Sequence, residues 1–354
     1  MRVLLVGNAH ERAHGGRCYT VERKLANGFV RNGHLLHFFS DRDVARAGSI
    51  FRSSRAGRGA ANREFLDVVR AFAPDFVAFP HSTLLATDTL AAARDMRPGL
   101  RLAQFCVDPL FRPSNVGFLS DRSRIVDATF VTTAGAALAA FSRPDAPACY
   151  MPNPIDASVE TTRGFERSDQ TYDVFWAARA GQGDHPADPR VIFPLHLAAQ
   201  EDLAVDYHGI DGRPQLFGTG YFDRLNDARM GLNLNSDRLG GESDRAPADQ
   251  LDLYNSDRIS QIMGCGLLAI SMRVNGLSAL FGEDEEMAFA DTPEEVVEVV
   301  RRYKRDDFAR RRVAEAGWRK SHGELNERLV ARYIEEVAFG RSLSHPYVWP
   351  TRAW

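Results

Sequence analysis

The chain predicts an α/β protein of two Rossmann-like domains, each a parallel sheet covered by helices, and three observations carry that prediction. Its 354 residues exceed the size at which one hydrophobic core usually keeps growing, so two cores are expected. Short apolar runs alternate with amphipathic helical stretches, the pattern of strands laid parallel and joined by crossover helices. The alternation breaks around Met151-Pro-Asn-Pro-Ile-Asp156 and then resumes.

In the first half, strands are expected at Val3 to Val6, Leu35 to Phe39, Phe76 to Phe79, Leu102 to Val107 and Thr129 to Thr132. Between them, spacings such as Phe65, Val68, Val69, Phe72 place one apolar face on a helix. The polar stretch Thr161 to Thr171 has the composition of a linker, which divides the chain into domains at 1–155 and 172–322 with 156–171 between them. In the second half, strands are expected at Tyr172 to Ala177, Leu203 to His208, Met230 to Asn235, Gly266 to Ile270 and Met287 to Ala290. The helix after Asp291 is marked by a capping box, Thr292 and Glu295, with Pro293 in its first turn. Val296, Val299, Val300 and Tyr303 form its apolar face. From Arg42 to Arg63, six arginines (42, 46, 52, 55, 58, 63) lie among Gly, Ser and Ala with little apolar periodicity. That stretch suggests a long mobile loop, either solvated or closing over an anionic acceptor.

Composition narrows the function. With 44% hydrophobic and 26% charged residues and a formal charge of −3, no global field draws the chain to nucleic acid or membrane. The N-terminus, Met1-Arg-Val-Leu-Leu-Val-Gly7, enters a strand directly and is too short for a signal peptide. No apolar run approaches the ~20 residues of a membrane span, so a cytoplasmic location is expected. Cys18, Cys106, Cys149 and Cys265 are scattered, without CxxC or histidine at ligand spacing, so all four are expected to be buried apolar residues and no structural zinc is indicated.

Residues suited to chemistry gather at predicted strand ends, where open parallel sheets place their ligands. The loop after the first strand carries Gly7, His10, His14, Gly15 and Gly16. Glycines there let backbone N–H groups approach an anion or sugar, and either histidine is a candidate general base. The spacing is not GxGxxG, and only Asp41 and Asp43 supply acid after the second strand, which argues against a dinucleotide site. His81 and Asp108 follow the third and fourth strands and are expected to face one crevice. Asp108 is equally suited to turn capping before Pro109. In the second half, Trp176-Ala-Ala-Arg179-Ala-Gly181-Gln-Gly183 puts an arginine into a glycine-containing loop, which suits a diphosphate because the guanidinium fork matches two phosphate oxygens. His208-Gly209 ends the next strand, where backbone can lie against a nucleotide base. No DxD metal cluster is evident, so arginine and helix dipole are expected to neutralise phosphate. Basic residues from Arg301 to Lys320 suit an anionic membrane surface, but interspersed Glu298, Asp306, Asp307 and Glu315 also suit a solvated helix face.

The most specific segment is Tyr254-Asn-Ser256-Asp257-Arg258-Ile-Ser-Gln261-Ile-Met-Gly-Cys-Gly266-Leu-Leu-Ala-Ile-Ser271. It resembles the donor-binding segment of GT-B glycosyltransferases, in particular the spore-maturation-protein-type group related to glycosyltransferase family 4. The pattern there runs Ser-x-Arg-x-x-Glu-x-x-x-x-Gly into an apolar strand. Met230 to Asn235, Phe281 to Glu295 and His322 to Arg328 resemble further blocks of that group in the same order. Over Tyr172 to Gly340 the resemblance is specific; over the first half it is architectural.

The resemblance implies a GT-B fold, two Rossmann-like domains facing across a cleft, with the terminal helical region 323–354 returning to the first. It implies a nucleotide-sugar donor on the second domain and a glycan, lipid-linked or other hydroxyl acceptor on the first, with no further cofactor. Gly15, Gly16, Arg179, Gly209, Ser256, Asp257, Arg258 and Gln261 would contact the donor, and Arg179 and Arg258 would stabilise the leaving phosphate. Retention of configuration, without metal, is the implied course; for an inverting enzyme His14, His81 or Asp108 would take the acceptor proton. Gln261 stands where the group has an acid that bonds the nucleotide ribose, and an amide there is a weaker, neutral partner. A sugar-nucleotide-binding protein without turnover, and a sugar-nucleotide epimerase or hydrolase on the same fold, are the alternatives.

Overall fold

A computed structural model describes residues 1–11, 16–178, 188–236, 246–247, 250–273 and 276–354. The chain forms two compact units, Met1–Pro152 with Glu327–Trp354, and Asn153–Asn326.

The first unit is a six-stranded parallel sheet in the order β2-β1-β3-β4-β5-β6, with β1 Arg2–Gly7, β2 Leu35–Ser40, β3 Phe76–Pro80, β4 Arg101–Cys106, β5 Ala128–Val131 and β6 Ala148–Tyr150. Val3 to Val6 and Phe76 to Phe79 are fully buried, as strands covered on both faces must be. β6 escapes sequence reading because three residues are too few to show a period. Helix α1, Val21–Arg31, starts on the Thr20 side chain, which accepts from the Arg23 N–H. The terminal helix of the chain, Glu327–Ala338, lies on α1. A Cβ at Gly28 would come within 2.2 Å of the Glu327 carbonyl oxygen, so only glycine lets the two helices approach this closely.

The arginine-rich stretch expected as one long loop is helical at both ends, in α2 Asp41–Ala47 and α3 Arg58–Phe72, and residues 48–57 between them form a connection of turns. Alanine and arginine favour helix, and Asp41 and Asp43 sit favourably in the first turn of α2. The apolar period is hidden because the contacts are made by small residues: Ala45 and Ala61 are buried, and Gly57 packs against the Ala45 carbonyl. The expected face of α3 is present, with Phe65 and Val69 buried and Val68 and Phe72 against the same core. α4 Thr87–Met96 and α5 Pro113–Ser123 complete the crossovers.

The second unit is a five-stranded parallel sheet in the order β11-β10-β9-β7-β8, with β7 Tyr172–Ala177, β8 Val205–His208, β9 Ala228–Asn233, β10 Leu268–Ser271 and β11 Ala288–Phe289. Its crossovers are α6 Pro189–Ala198, α7 Gly218–Asn226, α8 Arg258–Gly264, α9 Pro293–Arg305 and α10 Asp307–Glu324, which makes the terminal helix α11. The cap of α9 is there with one change: Thr292 accepts from the Glu295 N–H, while Glu295 accepts from Asp291 rather than Thr292. Residues 156–171 are built into this unit, with Asp156 and Glu160 buried and the Gly164 N–H donating to the Cys265 carbonyl at 2.8 Å. Three cysteines are buried as expected, but Cys18 is exposed in the turn before α1. No helix among the described residues is long and apolar enough to cross a membrane.

Candidate functional site at the strand ends

In the second sheet the chain leaves β7 toward β8 on one side and returns to β9 on the other, so the switch in strand order falls between β7 and β9. A crevice beyond the carboxyl ends at such a point is where open α/β sheets bind ligands. Arg258 occupies this position. Its guanidinium lies 4.4 Å from the centre of the Trp176 ring, on the penultimate residue of β7, and donates at 2.6 Å to the carbonyl of Leu234, just past β9. The Arg258 Nε–H is buried with no hydrogen-bond partner among the described residues, and no carboxylate there forms an ion pair with the side chain. Burial, with a smaller contribution from the nearby charge of Arg190, holds the guanidinium below its ordinary range; Tyr221, Asp257 and Tyr254 act in the opposite direction. A guanidinium placed this way can take an anionic ligand, and its planar fork suits the oxygens of a phosphate or a carboxylate.

The loop that presents Arg258 is fixed by short-range polar bonds. Ser256 Oγ accepts from the Arg258 backbone N–H at 3.2 Å, the Ser256 N–H donates to Asn235 Oδ1 at 3.0 Å, and Asn235 Nδ2 donates to the Tyr254 carbonyl at 3.1 Å. Gln261 is buried inside the unit. Its carbonyl accepts from Tyr221 Oη at 2.6 Å, and its amide reaches Asp257 at 3.4 Å. Tyr221 in turn packs edge-on against Phe175. Gly209 has φ +81°, and a Cβ on it would lie 1.7 Å from the Ala178 carbonyl oxygen, so glycine is required where β8 passes the end of β7. His208 pairs with Asp206 at 3.0 Å. Asp188 caps α6 and accepts from Arg190 and from Ser236 Oγ. Arg179 lies outside the described residues.

The first unit has its own switch, between β1 and β3. A small recess there is lined by Gly7, His10, Glu22, Asp41, Arg42 and Thr83, among others. Asp41 is buried and accepts from Thr83 Oγ1 and the Leu84 N–H, both at 2.7 Å. Burial pushes its carboxyl above the usual range against those hydrogen bonds. His81 and Asp108 come together, His81 Nε2 lying 3.3 Å from Asp108 Oδ2. The histidine is 4% exposed at its side chain and the aspartate 52%, so Asp108 is the member that meets solvent. The hydrogen bond from His81 holds the Asp108 carboxyl below its ordinary range. Arg122, buried on α5, donates to the carbonyls of His81, Thr83 and Leu85 and so holds the loop after β3. His10 adopts a left-handed conformation at φ 53°, and burial followed by the charge of Arg17 lowers its imidazole pKa. Gly16 lies in the turn before α1; His14 and Gly15 are outside the described residues.

Trp176, Tyr221, Asn235 and Arg122 were not singled out from sequence. Only Trp176 left a signal, an aromatic residue leading a strand into a glycine-containing loop. The basic residues after Arg301 are largely matched within the unit: Arg301 with Asp202, Arg302 with Asp284, Lys304 with Asp173, Arg310 and Arg311 with Asp307, and Lys320 with Glu286. They form an ion-paired helix face. No group of His, Cys, Asp or Glu among the described residues has the arrangement of a metal site.

Residues 190–336 match the family model described as "Glycosyl transferase-like". No curated protein sequence matches the chain significantly. Among solved structures, the chain is similar to Anabaena HepE in complex with UDP-glucose at 12% identity and a TM-score of 0.58, covering 96% of this chain and 100% of that one. It is similar to sucrose-phosphate synthase from Thermosynechococcus elongatus at 9% identity and a TM-score of 0.62, covering 96% and 98%. A Listeria monocytogenes structure described as a UDP-N-acetylglucosamine 2-epimerase gives 12% identity and a TM-score of 0.50, covering 98% of each. At these identities the likeness establishes fold: the chain consists of two parallel-sheet α/β domains of the GT-B kind, and most of the second carries a glycosyl transferase-like pattern.

Proposed function

We propose that this protein is a glycosyltransferase that moves a sugar from a nucleotide-sugar donor to a hydroxyl acceptor. The observation that carries the reading is Arg258, a half-buried cation that forms no ion pair with a carboxylate among the described residues, stacked on Trp176 at the switch point of the second sheet. The family match over residues 190–336 spans it, and HepE, of similar fold, has been seen with UDP-glucose and with UDP. Arg258 would take the diphosphate, with Arg179 as a second cation, so that developing charge on the leaving group meets pre-oriented donors rather than water. Ser256, Asp257 and Gly209 would shape the surrounding loops. Gln261, whose carbonyl is held by Tyr221, would support the site from beneath. Ser256 and Arg258 at their spacing support placement in the spore-maturation-protein-type group, and with it a retaining, metal-independent course, while Gln261 departs from the acid of that pattern. The first unit would hold a glycan or lipid-linked acceptor, and the His81–Asp108 pair is the base to test if configuration inverts.

The test is calorimetric titration with UDP-, GDP-, ADP-, dTDP- and CMP-sugars, followed by a transfer assay with EDTA present. Saturable binding of one donor and sugar transfer support the reading. Absence of binding to every donor at millimolar concentration overturns it. The fold of the Listeria structure favours one second reading, conversion of the donor alone; a changed sugar nucleotide recovered without any acceptor would establish it.

A further inference from the structure

The turn between α2 and α3 has a composition that neither proposed site uses. Ile50 and Phe51 stand at its tip with 98% and 84% of their surface exposed, two adjacent large apolar side chains touching almost nothing of their own unit. This exposure is imposed by an ordered turn. The Arg52 N–H donates to the Ser49 carbonyl at 2.8 Å, the Gly57 N–H donates to the Ser53 carbonyl at 3.0 Å, and Arg52 itself is held at φ 50°. Gly57 seats the turn against the Ala45 carbonyl, where a Cβ would lie 1.7 Å away.

The charge along this part of the chain has one sign. Between Asp43 and Glu64 there is no acidic residue, while Arg46, Arg52, Arg55, Arg58 and Arg63 fall within that stretch. Arg46 is paired with Asp43, and Arg58 donates to the Leu84 carbonyl. Arg52, Arg55 and Arg63 are exposed, and none of them forms an ion pair with a described residue. Exposed apolar side chains set among cations match the interface of a bilayer with anionic headgroups: the apolar pair enters the acyl boundary, and the arginines stay at the phosphates.

We infer that the α2–α3 turn is a membrane-surface anchor, with Ile50 and Phe51 inserting and Arg52, Arg55 and Arg63 selecting anionic lipid. This is independent of sugar transfer and is read without an activity assay. The full chain is floated with vesicles of phosphatidylcholine alone and with vesicles containing a quarter phosphatidylglycerol, at low and high salt. Binding is expected on the anionic vesicles only, weakening as salt screens the arginines. The double change Ile50→Ser with Phe51→Ser is expected to abolish it, and Arg52→Gln with Arg55→Gln to reduce it by about tenfold or more. Both variants alter exposed side chains, so each is expected to unfold at the wild-type temperature. Failure of the wild type to float, or equal flotation of the serine variant, overturns the anchor. So does light scattering that shows an oligomer dissociated by the serine variant, because the tip would then cover a second copy of the chain.

Discussion

The guanidinium of Arg258 stacks on the indole of Trp176 at 4.4 Å, joining the start of α8 to the end of β7. The stack keeps the planar group in one orientation while its Nε–H is left without a protein acceptor among the described residues. Trp176 is fully buried, so the platform is rigid.

Replacing that arginine separates charge from geometry. Arg258→Ala is expected to weaken donor binding at least tenfold, since hydrogen bonds to charged groups contribute about 1.5–3 kcal/mol. Arg258→Lys restores the charge but neither the stack nor the fork, and is expected to recover only part of the loss. Calorimetric dissociation constants check both, and a lysine variant equal to wild type would reduce the role of Trp176 to packing.

Asp41 links stability to pH. Its carboxyl is raised by burial, so the folded state holds the proton more tightly than the unfolded chain does. The sign follows directly. Its stability contribution is fully present below the ordinary carboxylate pKa of about 3.9 and is lost as pH rises through the higher folded value. Asp41→Asn keeps an acceptor for Thr83 and Leu84 without the buried charge. Urea unfolding of both proteins is expected to show the variant gaining on the wild type between pH 4 and pH 7; a constant difference would contradict this.

Gly28 tests how the terminal helix is seated. An added methyl would collide with the Glu327 carbonyl, a backbone atom that cannot rotate away, and overpacking of this kind costs roughly 1–3 kcal/mol. Gly28→Ala is therefore expected to lower the unfolding midpoint, and also to loosen the contact between Tyr333 and Phe130, whose rings lie edge-on at 5.8 Å. Hydrogen exchange along residues 327–338 measures that loosening directly.

Thiol labelling distinguishes Cys18 from the others. In the folded protein, Ellman's reagent is expected to modify Cys18 alone, because Cys106, Cys149 and Cys265 are buried and burial raises the thiol pKa of the first two of these. All four should react in denaturant. Rapid labelling of a second native thiol would mean that one of the cores opens.

The strands and the α9 helix were legible because their signals are local. Val3 to Val6, Phe76 to Phe79 and Val174 to Ala177 are apolar runs long enough to exclude solvent-facing structure, and Thr292 with Pro293 marks a helix start within four residues. The α2–α3 pair was not legible, because alanine and glycine contacts leave no hydrophobic period and arginines resemble solvated loop. The switch points followed from strand order, and strand order is not written in any one segment.

The sequence by itself determined which residues stand at strand ends: His81, Asp108 and Gly209 are there because alternation and turn residues act over a few positions, while Ser256 and Arg258, at the start of α8, were legible through the likeness of their segment to a family pattern. Tertiary structure alone decided their partners. Trp176 beneath Arg258, Tyr221 on Gln261, Asp108 on His81 and Arg122 behind the β3 loop are contacts between distant parts of the chain. Each depends on which strands lie side by side and on how much water their packing removes. A guanidinium is set in place for an anionic ligand only when that packing orients it.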